Sequence, residues 1–217
     1  MNRRNFMGAL LALPVFLQAQ SQGKKDRDEN DSAARDHFFQ AEDWTGFRLS
    51  ILLRRETADK PCVLKEVASD AVLRSGDRIQ LRIQPNAAGS LYVLAEDQDG
   101  NHRLLDTGSA GAFQAVMMPE IDWLRFDNEP GIDPVVVLFS RQPIAKLEAL
   151  HKKDAVLSAR EMHRLIAAQA ADTQQRETEE AHNGSIPAIF SVAQFDNDTD
   201  LIMERIELTH RPARKKG

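Results

Sequence analysis

Residues 78–105 read RIQLRIQPNAAGSLYVLAEDQDGNHRLL, which is a succession of strand patterns joined by turn residues. Ile79, Leu81 and Ile83 alternate with polar side chains, as in a strand that buries one face. Residues 90–95 form a nearly continuous apolar run. Residues 97–101 contain the Asp-Gly pair of a tight hairpin turn, because glycine accepts positive φ angles. Residues 103–105 then supply the return strand, so the stretch predicts antiparallel β structure.

Strand patterns recur on both sides of this stretch, at short intervals and with turn residues between them. Such spacing is typical of a sandwich of antiparallel sheets. We therefore predict a mostly β fold, an antiparallel β-sandwich of immunoglobulin-like type. The further predicted strands are residues 47–53, 63–67, 112–118, 122–126, 134–140, 186–195 and 201–209.

Residues 143–183 have a helical pattern and form a predicted helical insertion near the end of the chain. A short helix is expected at 143–151, and a second begins at Ser158, where Glu161 has the spacing of a capping box. The second helix is expected to end at Asn183 and Gly184. Its apolar stripe either joins the core or docks a partner, and its residues are Met162, Leu165, Ile166 and Gln169. The charged residues 172–181 are expected to form a solvated face of this helix, with partner docking as the alternative.

The first nineteen residues have the pattern of a cleavable secretion signal. Residues 2–8 read NRRNFMG, the pattern of twin-arginine export, and the apolar run at 9–17 is too short for a stable membrane span. Small Ala19 follows, so we predict a signal peptide at 1–19 and a periplasmic or secreted protein, with an uncleaved anchor as the alternative. Residues 20–36 are predicted to be a flexible linker because they have almost no large apolar side chains. One domain is expected at 37–217.

The charge of the chain argues against nucleic acid as a partner. The formal net charge is −5, whereas a nucleic-acid binder normally has a basic patch or stripe. The one basic cluster, residues 211–216, is expected to be a solvated chain end. Beyond the N-terminus no apolar run is long enough to span a membrane, so no further span is expected.

Cys62 is the only cysteine, so an internal disulfide is excluded. It begins the apolar run Cys62-Val63-Leu64, and we predict a small, buried, apolar role for it. A redox, nucleophilic or intermolecular role is the alternative.

Residues 72–144 resemble an exported bacterial family, the domain of unknown function 4384. The matching features are a Ser-Gly-Asp turn at 75–77, Leu91-Tyr92-Val93 in a strand, Asp99-Gly100 in a hairpin and residues 135–143, which read VVVLFSRQP. Leu104-Leu105-Asp106 stands where the family usually has Leu-Phe-Pro. The resemblance implies a β-sandwich-like module, of a kind found attached to other domains in secreted or envelope proteins, and it transfers no catalytic residue.

Two acidic clusters are candidate calcium sites, since hard cations prefer oxygen ligands. Asp97, Asp99 and Asn101 are explained more simply by the geometry of a hairpin turn. Asp196, Asp198 and Asp200, with Glu207, approach the spacing of an EF-hand loop. However, Leu201 replaces the required glycine, and a strand pattern follows. No metal ligand is therefore predicted, and calcium binding stays an alternative.

The histidines do not have the spacing of a zinc site, and we predict surface or loop positions for them. They are His37, His102, His151, His163, His182 and His210. His102 and Ser109 are candidate members of a hydrolase triad, but the chain lacks a Gly-x-Ser-x-Gly elbow. It also lacks the glycine-rich motifs of nucleotide binding.

No catalytic residue and no cofactor is predicted from these patterns. The sequence therefore favours an exported, non-enzymatic module that binds a protein or an envelope component. A hydrolase whose site forms only in three dimensions and a calcium-dependent adhesion or binding module are the alternatives.

Overall fold

The computed structural model describes residues 34–57, 60–126, 129–151, 155–169, 174–179, 187–194 and 201–212. Helices are few in this part of the chain: α1 at residues 34–38, α2 at Ala145–His151 and α3 at Ala159–Gln169. The strands, in chain order, are β1 Trp44–Thr57, β2 Lys60–Val67, β3 Leu73–Arg74, β4 Arg78–Pro85, β5 Gly89–Glu96, β6 His102–Ala110, β7 Val116–Met118, β8 Leu124–Arg125, β9 Gly131–Ser140, β10 Val156–Leu157, β11 Gln175–Glu179, β12 Ala188–Gln194 and β13 Leu201–Arg211.

The strands form two sheets. Sheet A has the order β11-β12-β1-β4-β7, with β2 on β1 and β8 on β4. Long β1 pairs with β4 on one side, while on the other side its first half pairs with β12 and its second half with β2. Sheet B has the order β10-β6-β5-β9-β13-β3. The described pairs are antiparallel except β13 with β3, which is parallel.

The alternation in the sequence places one face of each sheet in a shared core. Phe47, Leu49 and Ile51 of sheet A pack in one cluster with Leu91 and Val93 of sheet B. Each such side chain contributes about 1.5–3 kcal/mol through burial. The predicted antiparallel β-sandwich is thus confirmed, and its immunoglobulin-like character stays a prediction.

The outer face of sheet B is covered by α2 and α3. Tyr92 links the sheet to α2, because its hydroxyl lies 2.9 Å from Glu148 Oε1 and accepts a hydrogen bond from the backbone N–H of Ile144 at 2.8 Å. Met162 and Leu165 of α3 are buried in this second cluster, and Ile166 packs against it. Met162, Leu165 and Ile166 of the stripe therefore belong to the core rather than to an exposed docking face, and the side chain of Gln169 lies outside the described residues.

The predicted helical insertion contains two strands that the sequence pattern did not indicate. Residues 175–179 form β11, which pairs antiparallel with β12, and β10 precedes α3. The prediction of one helix to residue 183 is therefore wrong. The alternating polar side chains of β11 suit a sheet edge, where one face remains in solvent. The predicted helix end at Asn183 and Gly184 lies outside the described residues.

Two predicted strands are shorter than expected. Residues 112–115 form a turn and its exit, with Phe113 at a φ of 57°, and only 116–118 pair with β4. Of residues 122–126, only Leu124 and Arg125 pair with β4. Both segments are thus mainly connections at the edge of sheet A.

The N-terminal predictions fall mostly outside the described residues, which begin at 34. Residues 34–36, the end of the predicted linker, lie in α1, and Ala34 is fully buried. In the described part of the chain, no helix combines the length and the apolar character that crossing a membrane requires.

Candidate functional site

A cleft of about 370 Å³ opens at one end of the sandwich, where strand ends from both sheets meet. Sheet B contributes the end of β5, the start of β6, the start of β9 and the end of β13. Sheet A contributes β8 and the residues beside it. The cleft has an apolar floor and a charged rim. Its lining residues are Ala95, Glu96, Arg103, Leu105, Trp123, Leu124, Arg125, Phe126, Asp133, Pro134, Val135 and Leu208.

A bulge in β6 places Arg103 at this cleft. Val93 pairs with Asp106, but Leu94 pairs with Leu104, so Leu105 has no partner on β5. Because side chains alternate along a strand, one extra residue exchanges the two faces beyond it. Arg103 therefore lies opposite Ala95 on the inner face, which is the face that borders the cleft.

Both acids of the cleft are already engaged by cationic or titratable neighbours. Glu96 accepts hydrogen bonds from Arg205 Nε at 2.6 Å and Arg205 Nη2 at 3.3 Å. These bonds are the main reason that the pKa of Arg205 is raised above its ordinary value. Asp133 Oδ2 lies 2.6 Å from His210 Nδ1. Neither carboxylate forms an ion pair with Arg103 or Arg125.

Arg103 and Arg125 have no carboxylate within 4.0 Å among the described residues. Arg125 is exposed, and so is Arg103. Half-buried Trp123 completes this side of the cleft, with its ring centroid 5.8 Å from the Arg54 guanidinium carbon. Within the described residues, the cleft therefore combines two arginines that have no carboxylate partner with apolar and aromatic surface.

The lining residues limit the chemistry of the cleft. They include no serine, threonine, cysteine, tyrosine, lysine or histidine. Among these lining residues, a covalent nucleophile or a general base could come only from Glu96 or Asp133. Glu96 is held by its ion pair with Arg205, and Asp133 lies 2.6 Å from His210 Nδ1. The arrangement is suited to binding an anion that also has an apolar part.

In the hairpin turn at 97–101, the Asp97 carboxylate accepts hydrogen bonds from other groups of the same turn. Asp97 Oδ1 accepts hydrogen bonds from the N–H groups of Asp99 at 2.9 Å and Asn101 at 2.8 Å, and Oδ2 accepts one from Asn101 Nδ2 at 3.0 Å. These bonds, the one from the Asn101 side chain first, lower the pKa of Asp97.

Among the described residues, no group of three or more His, Cys, Asp or Glu side chains is placed to hold a metal ion. Asp196, Asp198 and Asp200 lie outside the described residues. Glu207 is described, and it accepts a hydrogen bond from Arg205 Nη1 at 2.6 Å.

Two histidines differ from the predicted surface positions. His102 is 8% exposed and His210 is also buried. His102 begins β6 opposite Glu96, with Nε2 3.9 Å from Glu96 Oε2. Ser109 lies seven residues further along the same strand, roughly 23 Å away at the rise of an extended chain. The two therefore cannot form a triad.

The remaining histidines give no further site. The ring of His37 stacks on Trp44 at 3.7 Å, and its Nδ1 lies 2.9 Å from Gln175 Oε1. His163 is exposed on α3. His182 and the side chain of His151 lie outside the described residues.

Cys62 is exposed, so the prediction of a buried apolar role is wrong. It lies on β2, which pairs with β1 on one side only, and the register between the two strands shifts between Arg55 and Thr57. An edge strand with an irregular register does not bury the side chains at the irregularity.

The cleft residues Glu96, Arg103, Trp123, Arg125 and Asp133 were not recognised in the sequence. They come from separate segments, and no spacing rule joins them. The one local signal is that Trp123 and Arg125 occupy alternate positions of the predicted strand 122–126, so that they share one face of it.

Comparison of the chain with protein-family models, with curated proteins and with solved structures finds no match. The resemblance of residues 72–144 to the domain of unknown function 4384 therefore stays a prediction from its motifs.

Proposed function

We propose that this chain is an exported, non-enzymatic binding module of the bacterial envelope or periplasm, and that its end cleft binds an organic anion. One observation supports this most strongly. Arg103 and Arg125 flank an apolar floor without a carboxylate partner among the described residues, while Glu96 and Asp133 are already paired.

The chemistry of arginine favours an anionic ligand at such a place. A guanidinium offers a planar fork of donors that matches a carboxylate or phosphate group. The floor of Leu105, Val135 and Leu208 adds the apolar surface that gives small ligands most of their affinity. A carboxylate with a short hydrocarbon chain satisfies both halves of the cleft.

A titration with octanoate tests the cleft. The chain has two tryptophans, so Trp44→Phe leaves Trp123 as the sole emitter, and Trp123 lines the cleft. We expect a saturable fluorescence change with octanoate and a much weaker one with acetate. Arg103→Gln should weaken octanoate binding about tenfold or more, because a charged hydrogen bond contributes about 1.5–3 kcal/mol.

Arg160→Gln is the matched control, since Arg160 is exposed on α3, away from the cleft. It should leave the octanoate titration unchanged. A titration without saturation, or one that Arg103→Gln leaves unchanged, would refute the proposed cleft function.

The export part of the proposal is tested separately. Replacing Arg3 and Arg4 with lysine should abolish export if the twin-arginine route is used, because that machinery recognises the arginine pair. Export that continues in the double variant would point to the general secretory route.

A hydrolase is the second candidate, and one observation favours it. Glu96 and Asp133 line the same cleft, and glycoside hydrolysis uses a pair of carboxyl groups. The test is turnover of chromogenic glycosides. Turnover that is lost in both Glu96→Gln and Asp133→Asn would establish a hydrolase instead of a binding module. Absence of turnover across such a panel would remove it.

A further inference from the structure

The outer face of sheet A carries three arginines side by side. Arg54 on β1 lies directly opposite Arg78 on β4, and Arg78 lies directly opposite Arg125 on β8. Neighbouring strands are about 4.8 Å apart, so the three Cα atoms lie within about 10 Å of one another across the sheet. Like charges directly opposite each other destabilise a sheet, so this row needs negative charge nearby.

The described residues supply one carboxylate to this row. Glu56 Oε1 lies 2.9 Å from Arg54 Nη2 and 3.9 Å from Arg78 Nη1. Arg125 has no carboxylate within 4.0 Å in the described part of the chain, and the buried Nε of Arg54 has no hydrogen-bond partner there. Counted over the described residues, the row of three arginines and one glutamate has an excess of about two positive charges, on a protein whose formal net charge is −5.

Exposed apolar side chains border the row. Ile121 is 90% exposed, and its loop is held against the sheet because Gln80 Nε2 donates to the carbonyls of Pro119 at 2.8 Å and Asp122 at 3.4 Å. Trp123 follows in the same loop, and Leu64, opposite Arg54 on β2, is 58% exposed. We call this surface the arginine face; it comprises Arg54, Leu64, Arg78, Ile121, Trp123 and Arg125.

We propose that the arginine face docks on a lipid bilayer with anionic phosphate headgroups. Arginine forks bind phosphate oxygens, and tryptophan is enriched at the boundary between headgroups and hydrocarbon. Ile121 projects from a fixed loop and can enter that boundary, as the apolar side chains of interfacial proteins do.

The other occupants fit this surface less well. A soluble polyanion would neutralise the row but would leave Ile121 and Leu64 in water. A second copy of the chain placed face to face would oppose two arginine rows and repel. A bilayer with anionic headgroups satisfies the charges and the apolar side chains together. The arginine face shares Trp123 and Arg125 with the rim of the cleft, but Arg54, Leu64, Arg78 and Ile121 lie outside it.

Vesicle binding tests the proposal with the full chain in the Trp44→Phe background, where Trp123 is the sole emitter. The probes are vesicles of phosphatidylcholine alone and vesicles with about one third phosphatidylglycerol. We expect a blue shift of Trp123 emission only with the anionic vesicles, and its loss at high salt. Trp123 reports on this surface, so membrane contact elsewhere in the chain does not mimic the signal.

Variants of the arginine face separate the contribution of its charges from that of its apolar side chains, and a double variant on α3 is the control. Replacing Arg54 and Arg78 with glutamine should weaken anionic-vesicle binding roughly 30-fold, since each arginine near a surface contributes about fivefold. Ile121→Ser should reduce the blue shift while leaving the salt dependence. Replacing Arg160 and Arg164 with glutamine removes the same charge from exposed positions on α3 and should leave the blue shift unchanged.

The proposal is overturned if anionic vesicles give no blue shift, or if the α3 double variant loses as much binding as the Arg54 and Arg78 variant. It is also overturned if soluble polyphosphate competes fully and Ile121→Ser has no effect, because a soluble polyanion is then the ligand. The octanoate titration contains no vesicles and the vesicle titration contains no octanoate, so failure of either proposal is distinguishable from failure of the other.

Discussion

At the scale of single residues, the molecule contains polar groups whose burial requires a specific partner. Glu204 points from β13 into the interior and is nearly inaccessible. Its Oε2 accepts a hydrogen bond from Ser191 Oγ at 2.6 Å and its Oε1 one from Arg176 Nε at 2.7 Å. The carboxylate thus joins sheet B to two strands of sheet A, and a buried charge of this kind is stable only while its partners remain.

Glu204→Ala should lower the free energy of unfolding by about 1–3 kcal/mol, because it leaves the buried Ser191 hydroxyl without its acceptor. Urea denaturation measures the change. Glu207→Ala is the matched control, since Glu207 lies on the same strand and is exposed; it should cost no more than about 0.5 kcal/mol. Equal effects of the two variants would contradict the bridging role of Glu204.

His102 should make the protein less stable in mild acid. Burial, its largest influence, lowers the pKa of His102 below the ordinary value of 6.5, although Glu96 acts in the opposite direction. As the pH falls through 6.5, the unfolded chain takes up a proton that the folded chain refuses, so stability falls until the folded pKa is reached. Urea midpoints measured from about pH 8 to pH 5 should fall less in His102→Gln than in the unmodified chain. Parallel curves would refute the assignment.

At the scale of elements, the sequence predicted those strands whose alternation is long enough to define a face. Strands β1, β4, β5, β9, β12 and β13 were all indicated. Strand β8 lies within the predicted strand at 122–126. The two-residue strands β3 and β10 are too short to show an alternation, so no pattern could indicate them. Strand β11 follows a helical pattern in the sequence and contains only polar residues. It therefore lacks the apolar alternation that would distinguish a strand from a continuation of the helix.

The cleft was not predictable for a related reason. The extra residue in β6 at Leu105 decides which face Arg103 occupies, and nothing in the residues 103–106 (RLLD) marks the bulge. The like-charged row of Arg54, Arg78 and Arg125 depends on the register of three strands. Register arises from packing of the whole sheet rather than from local sequence.

The capping box of α3 was predicted, and its geometry is observed. Glu161 Oε2 accepts hydrogen bonds from Ser158 Oγ at 2.7 Å and Ser158 N at 3.1 Å, and Glu161 N donates to Ser158 Oγ at 3.4 Å. These bonds, with the nearby Lys146 ammonium, lower the pKa of Glu161 to about 2.

Ser158→Ala should therefore cost about 1 kcal/mol of stability and raise the pKa of Glu161 toward its ordinary value of 4.5. An NMR titration of the Glu161 carboxyl reports the pKa directly. The stabilisation from Glu161 is complete above pH 4.5 and is lost as the pH falls toward 2. Arg160→Ala, an exposed neighbour, should leave the titration of Glu161 unchanged, and a Glu161 pKa that stays near 2 in Ser158→Ala would show that the cap is not its cause.

At the scale of the whole molecule, three apolar clusters hold the described chain together: the core between the sheets, the α2–α3 cluster outside sheet B, and a small cluster outside sheet A. In the third cluster Ala34 and Phe38 of α1 cover Phe190 and Val192 of β12. Asn86 secures this cover, because its Nδ2 donates to the carbonyls of Phe38 at 3.0 Å and Trp44 at 2.9 Å, while its Oδ1 accepts from Gly46 N at 2.8 Å.

Adjacent phenylalanines test whether α1 is part of the folded unit. Phe38 is 1% exposed and Phe39 is 63% exposed. Phe38→Ala should lower the free energy of unfolding by about 3–5 kcal/mol, because it removes a buried ring and uncovers Phe190, whereas Phe39→Ala should change it by no more than about 0.5 kcal/mol. Urea denaturation compares the two variants, which remove the same atoms one residue apart. If both are equally mild, α1 does not contribute to the fold, and the predicted linker extends through it to the first strand of the sandwich.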